Sequence, residues 1–305
     1  MLLFQQMLAL FIFLLIGYFM RKKQILDAKG SHAISWLIIN IACPCMVIAS
    51  ALSGEDLSLQ MFRDTFLLCL ATYAALIAIS LFLPALLGIP KENRNTYRLM
   101  TIFSNIGFMG YPLLSAMYGS GCLVYASISN VIYNILFYTF GIRTMQRDSN
   151  ASEPLRLTNI VNPGTLACVV TLVMALARPP VPTFAEAVIK NLGALPASLA
   201  MIVIGSSLTE FRFSEIFSDW RDLAFSLAKL VIVPIVLITI AKRFVTDPVL
   251  LGILLVNCAT PVGSLVVLAV QQYGTNERLA AKVVALTTVL SVVTIPIVAA
   301  VTGIR

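Results

Sequence analysis

Charge is what this sequence has least of: 11% of its 305 residues are Asp, Glu, Lys or Arg, while 59% are hydrophobic. Soluble globular chains carry about 25% charged residues, so two water-soluble domains of this composition are excluded, and the mean hydropathy of +0.93 agrees. Histidine is nearly absent as well. With His32 alone, no Cys/His zinc site can be assembled, and the six cysteines all fall inside apolar runs. Cys43-Pro44-Cys45 reads as packing around a proline. The chain has no HExxH, no Ser/His/acid set and no paired carboxylates inside an apolar run, which argues against an enzyme and implies neither metal nor cofactor. The net charge of +7 is not gathered into basic patches beside aromatics, so nucleic acid is not an expected partner.

What the chain does have is long uncharged runs. A bilayer crossing needs about 20 largely apolar residues. Charge-free windows cover residues 1–20, 33–54, 65–90, 99–142, 157–177, 192–209, 248–276 and 283–304; residues 223–241 hold a single charge, Lys229. The window 99–142 is long enough for two crossings joined by a tight turn at Gly119-Ser120-Gly121, which makes ten spans. Residues 1–20 lack a basic start and a small-residue cleavage site, so they read as a retained helix rather than a signal peptide. With the N-terminus outside, fourteen Lys and Arg residues fall in inner loops and six in outer ones. That bias favours a multi-pass protein of the cell (inner) membrane with both termini extracytoplasmic.

Span prolines recur at nearly one offset: Pro44 and Pro196 (152), Pro84 and Pro234 (150), Pro112 and Pro261 (149), with Tyr118-Gly119 and Tyr273-Gly274 at 155. This spacing suggests two five-helix repeats, residues 1–150 and 151–305. Because five is odd, the second repeat is inverted. The expected fold is an all-α polytopic membrane protein of ten helices, and inverted repeats of this kind place a solute site at their interface near the midplane.

Spans four and nine carry the most specific signal. The first reads Ser104-Asn105-Ile106-Gly107-Phe108-Met109-Gly110-Tyr111-Pro112, the second Asn257-Cys258-Ala259-Thr260-Pro261-Val262-Gly263-Ser264. Proline removes a backbone donor, and Gly107, Gly110 and Gly263 permit unwinding and close backbone approach. Both spans are therefore expected to break at their prolines, Pro112 and Pro261, and to share a polar pocket. All fourteen carboxylates lie in loops or at span ends. The site would thus consist of amides, Asn105 and Asn257, with helix N-terminal ends after each proline, which attract anions; for either Asn alone, satisfying freed backbone carbonyls is the alternative reading. Thr260 and Ser264 flank the second break. Span five adds a polar face of Ser127, Asn130 and Asn134, and span ten adds Thr287, Thr288, Ser291 and Thr294; hydrogen bonding between helices is the alternative reading of these stripes. Lys229, the one charge well inside a span, has three readings: snorkelling to the interface, a structural bond to a broken helix, or substrate contact.

At these residues the chain resembles the bacterial branch of the auxin efflux carrier (PIN-like) family over essentially its full length. The matching stretches are Leu37–Leu52 with Pro44, Ser104–Pro112, Asn162-Pro163-Gly164, Leu192–Leu208 with Pro196 and Gly205, Asn257–Pro261 and Val284–Pro296. The resemblance implies a scaffold of spans one, two, six and seven, often dimeric, with spans two and seven the expected contact. It implies a transport domain of spans three to five and eight to ten, in which helices four and nine cross near the midplane and substrate binds beside the crossing. An elevator-like shift of that domain is the implied mechanism, and the bacterial relatives are linked to malate or malonate. This chain departs from the plant carriers in its short Arg143–Val161 loop and in having no carboxylate in the uncharged window of span three.

The function expected is secondary active or facilitative transport of a small organic anion, a mono- or dicarboxylate, across the lipid bilayer. The alternative is a crossed-helix, sodium- or proton-coupled carrier of the bile-acid or antiporter type.

Overall fold

A computed structural model describes residues 2–52, 58–146, 161–210, 215, 217–272 and 276–304. The described residues are helical, and their one strand-like feature is an isolated antiparallel bridge between Ser104 and Val262. Tyr273-Gly274 and nearly all of the loop expected between the repeats lie outside the described residues.

The helices are α1 (Leu2–Lys22), α2 (Ala28–Ala51), α3 (Leu59–Leu86), α4 (Arg94–Ile102), α5 (Tyr111–Tyr118), α6 (Cys122–Gln146), α7 (Pro163–Ala177), α8 (Thr183–Gly193), α9 (Pro196–Ser207), α10 (Trp220–Ala241), α11 (Pro248–Ala259), α12 (Ser264–Gln272) and α13 (Glu277–Thr302). Among the described residues, six helical segments are long and apolar enough to cross a membrane: α2, α3, α6, α8 with α9, α10 and α13. The expected spans four and nine each come as two short helices, so neither half reaches that length. Six is therefore what helix length establishes, and the full count of ten rests on the sequence windows.

Proline is absorbed into these helices in a repeated way. π-turns at Ile38–Ala42, Ile106–Gly110 and Ala228–Ile232 each end two residues before a proline, namely Pro44, Pro112 and Pro234. The wider turn shifts the hydrogen-bond ladder by one residue at the place where the ring removes a donor and crowds the preceding turn. Their offset partners are built otherwise. Pro196 starts α9, Pro84 sits inside the last turn of α3, and Pro261 lies in an extended break.

The chain divides into two compact units. The first comprises Met1–Leu67, Gly107–Val131 and Val161–Glu210. In it α1 packs on α9, and α2 on α7 and α8. The first contact is a meeting of backbones. A Cβ on Gly17 would lie 1.9 Å from the Ile202 carbonyl oxygen, and one on Gly205 would lie 1.9 Å from that of Leu14. Residue 14 faces 205 and residue 17 faces 202, so the two helices run antiparallel. Asn162 caps α7 by accepting from the Thr165 amide at 3.0 Å, with Pro163 at the first helical position. Gly119, at φ +82°, ends α5 and makes the tight turn into α6.

The second unit comprises Leu68–Ile106, Ile132–Ile160 and Phe211–Arg305. One buried cluster ties three of its helices together. Asp222 of α10, 0% exposed, accepts a short hydrogen bond from the Tyr97 hydroxyl of α4, and its other oxygen lies 2.5 Å from the Lys282 ammonium of α13. The sequence placed every carboxylate in a loop or at a span end. Asp222 does sit in the first turn of its helix, but it is fully enclosed, because Lys282 and Tyr97 reach it from neighbouring helices.

Candidate functional site

Both helix breaks lie in the second unit, and they meet. After Ile102 the chain turns extended at Phe103, and α11 gives way to extended backbone at Thr260. Two backbone hydrogen bonds join the breaks: the Asn105 amide donates to the Pro261 carbonyl at 2.7 Å, and the Gly263 amide donates to the Phe103 carbonyl at 2.9 Å. Ser104 and Val262 form the bridge between them. Two interrupted helices thus satisfy part of their broken ladders by pairing as a minimal antiparallel sheet, the solution open to irregular backbone in apolar surroundings.

Side chains supply other freed groups. In an unbroken helix the carbonyl of Asn257 would accept from residue 261, which is proline and has no N–H. The Ser104 hydroxyl donates to that carbonyl instead, at 2.7 Å. The carbonyl of Cys258 would accept from Val262, but the Val262 amide donates to the Thr287 hydroxyl oxygen at 3.2 Å. Lys229 fills the gap, donating to the Cys258 carbonyl at 3.1 Å and to the Ser104 hydroxyl oxygen at 2.7 Å. Thr260 closes the end of α11 by donating to Val256 at 2.7 Å.

Gly263 is required by contact. A Cβ there would lie 3.0 Å from the Tyr133 hydroxyl and 3.1 Å from the Ser104 carbonyl oxygen. Tyr133 belongs to a ring cluster with Phe103 and Phe137, with Phe103 edge-on to both.

Several residues expected at the site are therefore together: Asn105, Asn257, Thr260, Pro261, Gly263, Thr287 and Lys229, with Ser264 opening α12. Asn105 is 7% exposed and Asn257 is 1% exposed, with its amide 3.9 Å from the Cys69 sulfur. Others take different places. The first break is at Phe103–Asn105, not at Pro112, because the π-turn carries that proline within helix. Pro112 thus follows its break, whereas Pro261 lies within its own. Gly107 faces open space, so no close backbone approach explains it. Gly107, Gly110, Pro112 and Asn130 belong to the first unit, where Asn130 donates to the Cys168 sulfur at 3.3 Å. Asn134 is buried in the second unit. Ser291 donates to Thr288 of its own helix at 2.7 Å. Lys229 does not snorkel: it is 0% exposed and bonded to the crossing. Sequence reasoning passed over Ser104 and Cys258. The signal was present, since a proline at 261 orphans the carbonyl four residues earlier and a second interrupted helix needs a donor to offer it.

No group of His, Cys, Asp or Glu among the described residues is arranged to hold a metal ion. Comparison with known proteins places the chain independently of this geometry. An uncharacterized transporter of the archaeon Methanothermobacter thermautotrophicus is 20% identical over 201 residues, which cover 66% of this chain and 61% of that protein. The chain therefore spans less than two thirds of that relative's length. Residues 2–299 match the family described as membrane transport protein, so the chain belongs to that family, the auxin efflux carrier or PIN-like transporters.

Proposed function

We propose that this protein carries a small organic anion, a mono- or dicarboxylate such as malate or malonate, across the cell membrane as a secondary active or facilitative transporter. The observation that carries the reading is the pairing of two interrupted helices through Asn105, Pro261, Phe103 and Gly263, with Lys229 bonded into it. Such a crossing presents amide groups and helix ends at one place. The dipole end of α12 and the amides of Asn105 and Asn257 suit a carboxylate better than a metal ion.

Ten crossings in two inverted repeats, with both termini extracytoplasmic, remain the proposed arrangement. The packing of the first unit supports it: α1 on α9 and α7 on α2 are the two contacts that a two-fold relation would exchange. An elevator-like movement of spans three to five and eight to ten against spans one, two, six and seven is the proposed mechanism, with a homodimer through spans two and seven.

The test is counterflow of labelled malate and malonate in proteoliposomes of the purified protein. Saturable uptake is expected, and replacing both Asn105 and Asn257 with Ala should abolish it. Wild-type uptake in that double variant overturns the site, and no uptake of either acid by the wild-type protein overturns the function.

A further inference from the structure

A crossing of interrupted helices has no charge preference of its own. Each break brings together one helix C-terminus, which carries a partial negative charge, and one N-terminus, which carries a partial positive charge. What decides between anion and cation is which of these ends is already neutralised. In this protein the carbonyl end of α11 is occupied. Lys229 donates to the carbonyl of Cys258, in the last turn of that helix, and to Ser104, whose hydroxyl donates to the carbonyl of Asn257. The N-terminal end of α12, starting at Ser264, follows four residues after Thr260.

The charge of Lys229 is not matched by an acid. Among the described residues no carboxylate forms an ion pair with it. The buried carboxylate on the same helix, Asp222, lies seven residues earlier, about 10 Å of helix rise, and is paired with Lys282. The groups bonded to Lys229 are neutral, and it is fully buried. A buried charge with no partner is costly, so the site gains by admitting a negative one.

We propose that Lys229 is the specificity-determining residue that makes the crossing select anions: it cancels the carbonyl end of α11 and supplies the positive charge that a substrate carboxylate balances. The proposal rests on the reading of the crossing as the substrate site. It separates two roles of Lys229, since fastening the breaks needs only a hydrogen-bond donor, whereas choosing the sign of the substrate needs the charge.

The experiment measures uptake of labelled malonate in proteoliposomes and its inhibition by unlabelled malonate or by malonamide, the neutral diamide of the same skeleton. Wild-type protein is expected to be inhibited by malonate and hardly at all by malonamide. A unit charge within roughly 8 Å at an effective dielectric of about 20 corresponds to about 30-fold in affinity. Lys229→Met should therefore raise the malonate KM by that order with a smaller change in kcat, and should narrow the preference for malonate over malonamide. Lys229→Arg, which keeps the charge, should restore the preference. Ser104→Ala removes the clamp and keeps the charge, so it should slow transport and preserve the preference. An unchanged preference in Lys229→Met overturns the proposal. If Lys229→Met fails to fold, the other two variants decide, because loss of preference in Ser104→Ala or Lys229→Arg shows that fastening is the whole role. No uptake of malonate or malate by wild-type protein overturns the functional reading and this inference with it.

Discussion

Ser104 and Asn257 stand 153 positions apart, and the hydroxyl of the first donates to the backbone carbonyl of the second at 2.7 Å. The bond exists because Pro261 cannot. A proline in one helix creates an acceptor without a partner, and a serine in another helix meets it, so the two interruptions are solved together.

Removing that donor tests the relationship. Ser104→Ala leaves the Asn257 carbonyl and one Lys229 donor unmatched in a buried place, a loss of about 1–3 kcal/mol. Thermal unfolding in detergent should show a lower midpoint for the variant, and Ser104→Thr, which keeps a hydroxyl, should recover part of it.

Gly263 should tolerate almost nothing. A Cβ would stand 3.1 Å from the Ser104 carbonyl oxygen, which is backbone and cannot swing aside. Gly263→Val is expected to force the breaks apart, destabilising by about 1–3 kcal/mol or more and abolishing uptake. Gly263→Ala should retain folded protein with reduced transport, and full activity in the valine variant would contradict the close pairing of Phe103 and Gly263.

Gly17 and Gly205 make an independent prediction far along the chain from the crossing. With 1.9 Å from a would-be Cβ to a facing carbonyl oxygen, either substitution to Leu separates α1 from α9. Loss of monodisperse protein on size exclusion is the expected outcome for each. Gly107→Ala, whose Cβ meets open space, should purify like the unaltered protein.

Lys282→Met should expose the worth of the buried cluster. It leaves Asp222 enclosed with the Tyr97 hydroxyl still donating to it but without the ammonium that balanced its charge, and stranding a buried charge costs about 3–5 kcal/mol. Pairing it with Asp222→Asn removes the stranded charge, so the double variant should melt above Lys282→Met alone. A double variant no more stable than the single one would show that the ion pair contributes little.

The membrane-embedded, helical character of this protein is written in its composition, because lipid is the solvent that accepts so much apolar surface. So are the two interruptions near Ser104–Pro112 and Asn257–Ser264, since glycine and proline act on their own neighbours. What the residues did not reveal is where the first interruption falls. Pro112 looks like a breaker in sequence, yet a π-turn carries it within helix and the chain opens at Phe103 instead, opposite Pro261 and Gly263. The partners of Lys229 were likewise hidden, for a lone lysine in an apolar run has the same sequence whether it snorkels or is enclosed. Asp222 is the span-end acid that the sequence reads, but its enclosure by neighbouring helices was equally hidden. Local chemistry determined that two helices in this chain would be incomplete. Only the tertiary structure, by bringing residues 104, 229 and 257 within hydrogen-bonding reach, decided which groups complete them.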